Sequence, residues 1–320
     1  MKYDVIIFDG KNTAHKAYHV NKHLSINIDG EEIHTGMMYG FLSMMSKIYS
    51  MFAKQNTRVY VAWDSIDSAE SNRELNSHYK ENRKPQTQQE LLDKINFDKL
   101  INNTIGLLST LNIMQFRKSR VEADDIIATI ATKLSEKGKS ILIVTEDKDY
   151  RQLISDKVHL YGITQKLVWD MDTFQTKTGL FKPSHFVDYL AICGDTIDGF
   201  SGVSGFGDAK AMQLLTDENF VAYDSITEYI LENPDDISLV DAWSENIKKK
   251  FNEGLNELDE CYKLAKLDTD IKSVEIIVKK HYPTIQTFDI MIQTYNMRSL
   301  LQSHNIFERI FYATQYWRNH

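Results

Sequence analysis

Carboxylate side chains come directly after three apolar runs of the chain. Asp9 follows YDVIIF and Asp64 follows RVYVAW, while Asp147 and Asp149 come just after SILIV. Short runs of this kind, rich in β-branched residues, are typical of buried strands. Ligands of an open parallel sheet bind at the carboxyl ends of its strands, so these four acids are predicted to reach the same edge.

Five further acids are placed to join them. Glu122, Asp124 and Asp125 open a helical pattern, where carboxylates suit the positive end of the helix dipole. Glu122 and Asp125 are three residues apart and therefore lie near one face of that helix. Asp195 and Asp198 stand just before a glycine-rich turn. Together with the first four, these residues predict a concentrated acidic site.

A divalent cation is the ligand that such a cluster suits. A single Asp after a strand is usually a helix cap or a solvated loop residue, and that reading stays open for each acid alone. Converging carboxylates repel one another, however, and hard cations with oxygen ligands remove that cost. Mg²⁺ or Mn²⁺ fits this donor set. A calcium loop of the EF-hand type fits badly, because Gln152 and Val158 stand where its Gly and Glu would be.

The elements that must position these acids alternate along the first half of the chain. Helical patterns are predicted over 37–52, 95–111 and 123–134, and a fourth strand over 158–161. Strands alternating with helices indicate an α/β fold with a central, mostly parallel sheet and flanking helices. Residues 65–90 contain few aliphatic side chains and cannot build much core. From residue 181 the pattern is helical, interrupted by the turn at 199–207.

Composition sets the remaining bounds. The 320 residues carry 37 basic and 45 acidic side chains, and residues 217–260 alone hold 13 acidic and 3 basic ones. Outside that segment, and with the nine acids assigned to one site set aside, basic side chains outnumber acidic ones. This excess is compatible with an anionic polymer as ligand, and an ordinary soluble surface is the alternative. No apolar run reaches 18 residues and no secretory signal opens the chain. The 2 cysteines form no disulfide framework, so a reducing cytosol is predicted.

Six motifs occur in a fixed order along the chain. They are IIFDG, VAWD, HYKENRKP, VEADDIIA, TEDKDYRQL and GDTIDGFSGVSGFGDAKA. This series resembles the 5′-nuclease family, which includes flap endonucleases, bacteriophage 5′→3′ exonucleases and the 5′-nuclease domain of bacterial DNA polymerase I. The resemblance runs from about residue 4 to 215, and residues 258–302 resemble a weaker continuation.

The resemblance implies a PIN-like core with two metal ions, Mg²⁺ with Mn²⁺ as a substitute, and hydrolysis that leaves a 5′-phosphate. One implied ligand cluster is Asp9, Asp64, Glu122, Asp124 and Asp125, and the other is Asp147, Asp149, Asp195 and Asp198. Asp147 is also expected to be catalytic. The chain departs from the family pattern at Glu146, where Gly or Ser is usual, and at Gly199, where Asn is usual.

Basic and aromatic residues of the polar stretch correspond to the helical arch of the family, within 65–100. Lys80 and Arg83 are implied to bind the scissile phosphate and stabilise the transition state, and Tyr79 to stack on an unpaired base. At helical spacing Tyr79 and Arg83 would share a face. Without the resemblance, a solvated loop would be favoured. Further DNA-backbone candidates are Arg73, Lys84, Lys16 and Tyr18, with Lys16 standing where the family has Arg.

The glycine-rich turn reads as a helix–hairpin–helix element around 186–215. Gly202, Gly205 and Gly207 would expose backbone N–H groups to a duplex phosphate, and Lys210 would add a contact. A plain helix-capping turn is the alternative. The family also implies a K⁺ ion here. Residues 248–250, three lysines inside the acidic stretch, read as a solvated helix face.

These observations predict a Mg²⁺-dependent, structure-specific 5′-nuclease with flap endonuclease and 5′→3′ exonuclease activity, acting in replication and repair, with RNA primers as a further substrate. The alternatives are a non-catalytic branched-DNA-binding protein of the same fold and an RNA-processing nuclease. Expected partners are branched or flapped DNA, RNA–DNA hybrid and replication proteins, with a monomer in the bacterial or phage-infected cytosol and no membrane contact. The expected domains are a catalytic core at 1–180 and a helical domain at 181–320.

Overall fold

The computed structural model of the chain describes residues 1–81, 87–273, 275–276 and 284–318. Its strands are β1 (Tyr3–Asp9), β2 (Ser25–Ile28), β3 (Glu31–His34), β4 (Ala53–Ala62), β5 (Met114–Arg117), β6 (Ile141–Val144), β7 (Val158–Gly162), β8 (Leu167–Trp169) and β9 (Glu275–Ile276). Its α-helices are α1 (Gly10–Asn21), α2 (Gly36–Phe52), α3 (Glu70–Leu75), α4 (Gln88–Thr110), α5 (Ala123–Glu136), α6 (Met171–Thr178), α7 (His185–Cys193), α8 (Asp208–Leu215), α9 (Ile226–Glu232), α10 (Glu245–Glu253), α11 (Leu255–Ala265), α12 (Ile285–Thr294) and α13 (His304–Arg318).

A central sheet carries the fold, with the strand order β8-β7-β6-β1-β4-β5-β9 among the described residues. The five inner strands are parallel, while β8 and β9 pair antiparallel at the two edges. The predicted α/β fold with a mostly parallel sheet is thereby confirmed. β1 and β6 read as near-continuous apolar runs because helices cover both of their faces.

Two apolar cores lie on opposite faces of the sheet, since alternate residues of β1 belong to different clusters. Ile7 belongs to a cluster that includes Ile127 of α5 and apolar residues of α7–α11, whereas Phe8 belongs to one that includes Phe41 of α2 and Phe307 of α13. The chain therefore returns at its end to cover the sheet: α12 and α13 pack on α4, α2 and β4. Their sequence pattern is helical, as predicted for the region after residue 181.

Several elements extend beyond what the pattern predicted. The helix expected over 95–111 begins earlier, at Gln88, because Thr87 and Glu90 form a capping box. The sequence pattern did not predict the antiparallel hairpin β2–β3 or the short strands β5, β8 and β9. Within the described residues, no helix combines the length and the apolar character needed to cross a bilayer.

Gly10 sits at the junction of β1 and α1, where the chain turns directly beneath the indole of Trp63. A Cβ added there would lie 2.5 Å from Trp63 Cε3 and 2.6 Å from the carbonyl oxygen of Ala62. We expect Gly10→Ala to lower the free energy of unfolding by about 1–3 kcal/mol, because the core cannot expand freely. The control is Gly106→Ala inside α4, where the Cβ meets no atom within 4 Å and should stabilise the helix by about 0.5–1 kcal/mol. Urea unfolding of both variants measures the difference, and equal effects would contradict this packing.

Candidate metal centre

Asp9 ends β1 and caps α1. Its carboxylate accepts hydrogen bonds from the backbone N–H of Asn12 at 3.0 Å and from Thr145 Oγ1 at 3.2 Å. Burial raises the pKa of Asp9 to about 7, and the nearby charges of Asp64 and Asp147 push it in the same direction. The first acid of the predicted set therefore lies in a dry and electronegative position at the sheet edge.

Asp64, just after β4, lies beside the start of α5. Its carboxylate accepts the backbone N–H of Ala123 at 2.9 Å and pairs with Lys11 Nζ at 3.1 Å. Burial opposes ionisation, but the Lys11 charge and the Ala123 hydrogen bond hold the pKa of Asp64 below its ordinary value. Lys11 thus neutralises one acid of the cluster from the first turn of α1.

Glu122 occupies the cap position of α5 and is buried. It accepts hydrogen bonds from Asn72 Nδ2 at 3.0 Å, Tyr79 Oη at 2.8 Å and Lys80 Nζ at 2.6 Å. These three donors come from the polar stretch before α4. These bonds hold residues 72–80 against Glu122, and the backbone N–H of Lys80 also donates to the carbonyl oxygen of Asp198 at 2.8 Å.

Asp124 and Asp125 share the first turn of α5 with Glu122. Desolvation by the surrounding protein and the charge of Glu122 raise the pKa of Asp124 well above its usual value. Desolvation likewise raises the pKa of Asp125 to about 7, although its carboxylate accepts the backbone N–H of Asp268 at 2.8 Å. Both groups gain from a cation, because a positive charge favours their ionised forms.

A second group of acids forms around Asp149. Among the described residues, the carboxylates of Asp149, Asp195 and Asp198 can offer oxygens that all lie within 4.8 Å of one another. Asp149 Oδ1 is buried and has no hydrogen-bond partner among those residues. Desolvation and the charges of Asp147 and Asp198 raise the pKa of Asp149 well above its ordinary range. An orphaned oxygen among converging carboxylates fits a hard divalent cation.

Asp147 connects the two groups. Its Oδ1 accepts the backbone N–H of Asp149 at 3.0 Å, and its charge raises the pKa of both Asp9 and Asp149. The nine predicted acids influence one another by charge, but among the described residues only Asp149, Asp195 and Asp198 bring carboxylate oxygens together as a group within 4.8 Å. Their role as metal ligands stays a prediction.

Lys80 and Tyr79 are placed differently from the sequence expectation. They lie in a turn rather than on a helix face, and Lys80 has a φ of 51°. Tyr79 is only 3% exposed and its hydroxyl bonds Glu122, so its ring is closed to the base stacking that the sequence favoured. Burial disfavours the charged form of Lys80, but Glu122 and Asp124 hold its pKa above the ordinary value.

Three further DNA-binding candidates are predicted in the polar stretch, namely Arg73, Arg83 and Lys84. Arg73 Nε donates to the carbonyl oxygen of Tyr79 at 3.4 Å, so it supports the turn that carries Lys80. Arg83 and Lys84 lie outside the described residues. Gly199, one of the departures from the family pattern, has a φ of +83°, and a Cβ there would lie 2.7 Å from the carbonyl oxygen of His78. Glycine at this position permits the turn to approach the second acid group.

The other departure, Glu146, is compensated within the chain. Lys16 Nζ pairs with Glu146 Oε1 at 2.8 Å and also contacts the hydroxyl of Thr164. Lys16, predicted to contact DNA, is thus engaged by the residue that replaces the usual Gly or Ser. Tyr18 packs edge-on against Phe97 of α4, with ring centroids 5.6 Å apart.

The glycine-rich turn joins α7 to α8 as a hairpin. Gly202 has a φ of +68°, and a Cβ there would lie 2.4 Å from the backbone nitrogen of Gly194, so only glycine fits. Gly205 and Gly207 are exposed, and Gly207 directly precedes α8. Lys210 Nζ donates to the carbonyl oxygen of Gly205 at 2.8 Å. A helix, a hairpin and a second helix therefore follow one another here, but Gly202 is buried, so only Gly205 and Gly207 of the three predicted glycines are exposed.

Sequence reasoning missed the residues that hold the acids in place. Lys11, Asn72 and Thr145 bond the cluster directly, and Lys148 pairs with Asp195 at 3.0 Å. Lys11 and Lys148 stand within two residues of a predicted ligand, so a search for cations beside acids would have found them. Asn72 carries no such signal.

Comparison with known proteins now defines the class. Residues 4–179 match the family described as 5′-3′ exonuclease, N-terminal resolvase-like domain, and residues 181–286 match 5′-3′ exonuclease, C-terminal SAM fold. The chain belongs to the 5′-3′ exonuclease family. This is the family that the order of the six motifs indicated, so the resemblance is confirmed.

Particular relatives support the assignment. A 5′-3′ exonuclease of Buchnera aphidicola is 30% identical over 290 residues, covering 89% of this chain and 95% of that protein. The thermostable DNA polymerase I of Thermus aquaticus is 26% identical over 309 residues, which is 33% of its length. The T5 D15 flap endonuclease in complex with DNA and metal ions shares the fold, with a TM-score of 0.63 at 18% identity over 97% of this chain and 99% of that one.

The raised pKa of Asp9 predicts a pH-dependent stability in EDTA. The folded state binds a proton between the ordinary pKa of 3.8 and about 7 that the unfolded state has lost. The free energy of unfolding therefore falls as the pH rises through this window, by about 1.4 kcal/mol for each unit of pKa shift. Above this window it is constant. We expect Asp9→Asn to be more stable than the wild type at pH above 7 and to lose this advantage near pH 4. Thermal melting of both proteins across this pH range measures the advantage. A difference in melting temperature that does not change with pH would contradict the raised pKa of Asp9.

The Lys16–Glu146 pair is expected to contribute to stability. Both side chains are partly buried, so a double-mutant cycle of Lys16→Ala and Glu146→Ala should give a coupling energy of about 0.5–1 kcal/mol in urea unfolding. The coupling energy should decrease at high salt, because both side chains are partly exposed to solvent and salt ions can screen their charges. Strictly additive effects would show that the two residues do not interact in solution.

Proposed function

We propose that the chain is a Mg²⁺-dependent, structure-specific 5′-nuclease that cuts 5′ flaps and degrades duplex ends 5′→3′. The observation that carries this proposal is the group of Asp149, Asp195 and Asp198, with the unpartnered oxygen of Asp149 among them. Membership of the 5′-3′ exonuclease family supports the reaction class. The crystallised T5 D15 flap endonuclease supports flapped DNA as the substrate and metal ions as the cofactor.

Two divalent ions would be held by the two acid groups. The first set is Asp9, Asp64, Glu122, Asp124 and Asp125, and the second is Asp147, Asp149, Asp195 and Asp198. When bound, the ions supply activation of water and compensation of the phosphodiester charge. An all-carboxylate donor set suits Mg²⁺, with Mn²⁺ as a substitute. The hydrogen bonds of Asn12, Thr145 and Ala123 to Asp9 and Asp64 orient these carboxylates before any ion binds.

The chain's own cations have two roles in this proposal. Lys80 is proposed to bind the scissile phosphate; in this structure it is buried, offsets the charge of Glu122 and lies 3.9 Å from Asp198, at the border of both acid groups. Arg83 is proposed as its catalytic partner, with Lys84 and Arg73 on the DNA backbone. The hairpin residues Gly202, Gly205, Gly207 and Lys210 are proposed to hold the duplex, with K⁺ as a further ion there.

The substrate would be branched or flapped DNA met in replication and repair, and RNA primers on DNA are a further proposed substrate. The exposed hairpin suits a continuous duplex backbone next to the cleavage site. The chain is proposed to have a catalytic core at 1–180 and a helical region at 181–320. We further propose that it acts as a monomer in the cytosol and contacts replication proteins.

A cleavage assay on DNA with a 5′-labelled flap tests the function. We expect product with Mg²⁺ and none with EDTA, because without a cation the carboxylates repel the negatively charged phosphodiester. Asp149→Asn should reduce the single-turnover rate by at least about 100-fold, since it removes charge from the metal group. Binding of the flap should remain.

The matched control is Asp241→Asn, which makes the same change at an exposed acid of the segment before α10. Its rate should equal that of the wild type. Flap binding without cleavage in any divalent cation would instead indicate the non-catalytic branched-DNA-binding protein. A wild-type rate in Asp149→Asn would show that this acid group does not serve the reaction.

A further inference from the structure

Helix α10 is packed against the hairpin between α7 and α8 by an aromatic cluster. The ring of Phe206, at the hairpin, lies 5.0 Å from that of Phe251 and 5.2 Å from that of Trp243. Phe251 is fully buried and Trp243 nearly so. The end of α10 is therefore fixed on the hairpin, although it belongs to the acidic segment that the sequence set apart from DNA binding.

Lys250, next to Phe251, lies over the hairpin as a result. A Cβ added to Gly205 would be 2.4 Å from Lys250 Nζ and 3.2 Å from its Cε. Its side chain thus crosses the open space that the missing side chain of Gly205 leaves. The ammonium group of Lys250 is placed at the exposed apex of the turn.

The two neighbouring lysines of α10 are engaged elsewhere. Lys248 Nζ donates to the carbonyl oxygen of Ser238 at 2.7 Å and pairs with Glu245 at 3.2 Å. Lys249 Nζ lies 3.9 Å from a carboxylate oxygen of Glu253. Lys250 has no ion pair with a carboxylate in the part of the chain that the structure describes. Of the three, it is the one whose ammonium group lies at Gly205.

A second ammonium group is held at the same glycine. Lys210 Nζ donates to the carbonyl oxygen of Gly205 at 2.8 Å and lies 4.7 Å from the centre of the Phe206 ring. Asp208, in the first turn of α8, accepts a hydrogen bond from Tyr189 Oη at 3.1 Å. Two cations from separate elements therefore converge on an exposed turn whose glycines allow close approach of a ligand.

We propose that Lys250 and Lys210 together bind a backbone phosphate of duplex DNA at Gly205. A phosphate fits two lysines at one turn by charge, and the contact carries no sequence information because it touches no base. This contact rests on the proposed function, because it requires a protein that binds duplex DNA. It lies outside the six motifs of the sequence. Lys250 is thereby placed at the DNA interface rather than on the solvated helix face predicted for residues 248–250.

Salt dependence of DNA binding tests the proposal. Each phosphate neutralised by a lysine adds about 0.9 to the slope of log K against log salt, so Lys250→Ala should lower that slope by about this amount. Between about 50 and about 200 mM salt, the variant should then lose about 3.5-fold less affinity than the wild type. The measurement is fluorescence anisotropy in EDTA, with a blunt duplex and a flapped duplex, and both DNAs should show the same change.

Lys249→Ala is the matched control, because it removes the same charge from the next residue of the same helix. Its slope should equal that of the wild type, and melting temperatures of all three proteins check the fold. Equal slopes for Lys250→Ala and Lys249→Ala would overturn the inference while leaving the nuclease proposal intact. A wild-type protein that binds neither DNA would overturn the proposed function instead.

Discussion

Mutual repulsion among carboxylates is the constraint on which the rest of this structure depends. Parallel strands and the start of α5 deliver acids to one sheet edge, where burial raises the pKa of Asp9, Asp124 and Asp149. A protein cannot hold such a cluster ionised without positive charge. The cluster therefore destabilises the folded chain on its own and suits a bound cation. The hydrogen bonds and lysines around it hold the carboxylates in position.

Three lysines provide part of the compensation, each from a different element. Lys11 comes from α1, Lys80 from the turn before α4 and Lys148 from the loop after β6. Because each ion pair links its element to the acidic edge, the same electrostatics that would hold metal ions also assembles the site. Lys80 has a left-handed backbone conformation in its turn, and Gly199 approaches that turn closely.

Contacts within the chain involve three residues that differ from the family pattern expected from the sequence. Glu146, where Gly or Ser is expected, pairs with Lys16, where Arg is expected. Gly199, where Asn is expected, lets the turn carrying Lys80 pack on the second acid group. These contacts lie beside the predicted acids.

The sequence alone determined the α/β fold, the strand ends that carry Asp9, Asp64 and Asp147, and the family. It could do so because buried strands are short apolar runs and because six motifs occur in a fixed order.

Only the tertiary structure decided the burial of Tyr79, the partner of Lys80 and the position of Lys250. These depend on contacts between residues more than 40 apart in the chain, such as that of Lys80 with Glu122 or of Lys250 with Gly205. Local periodicity reports which face of an element is apolar, but it holds no information on which distant charge or ring that face will meet.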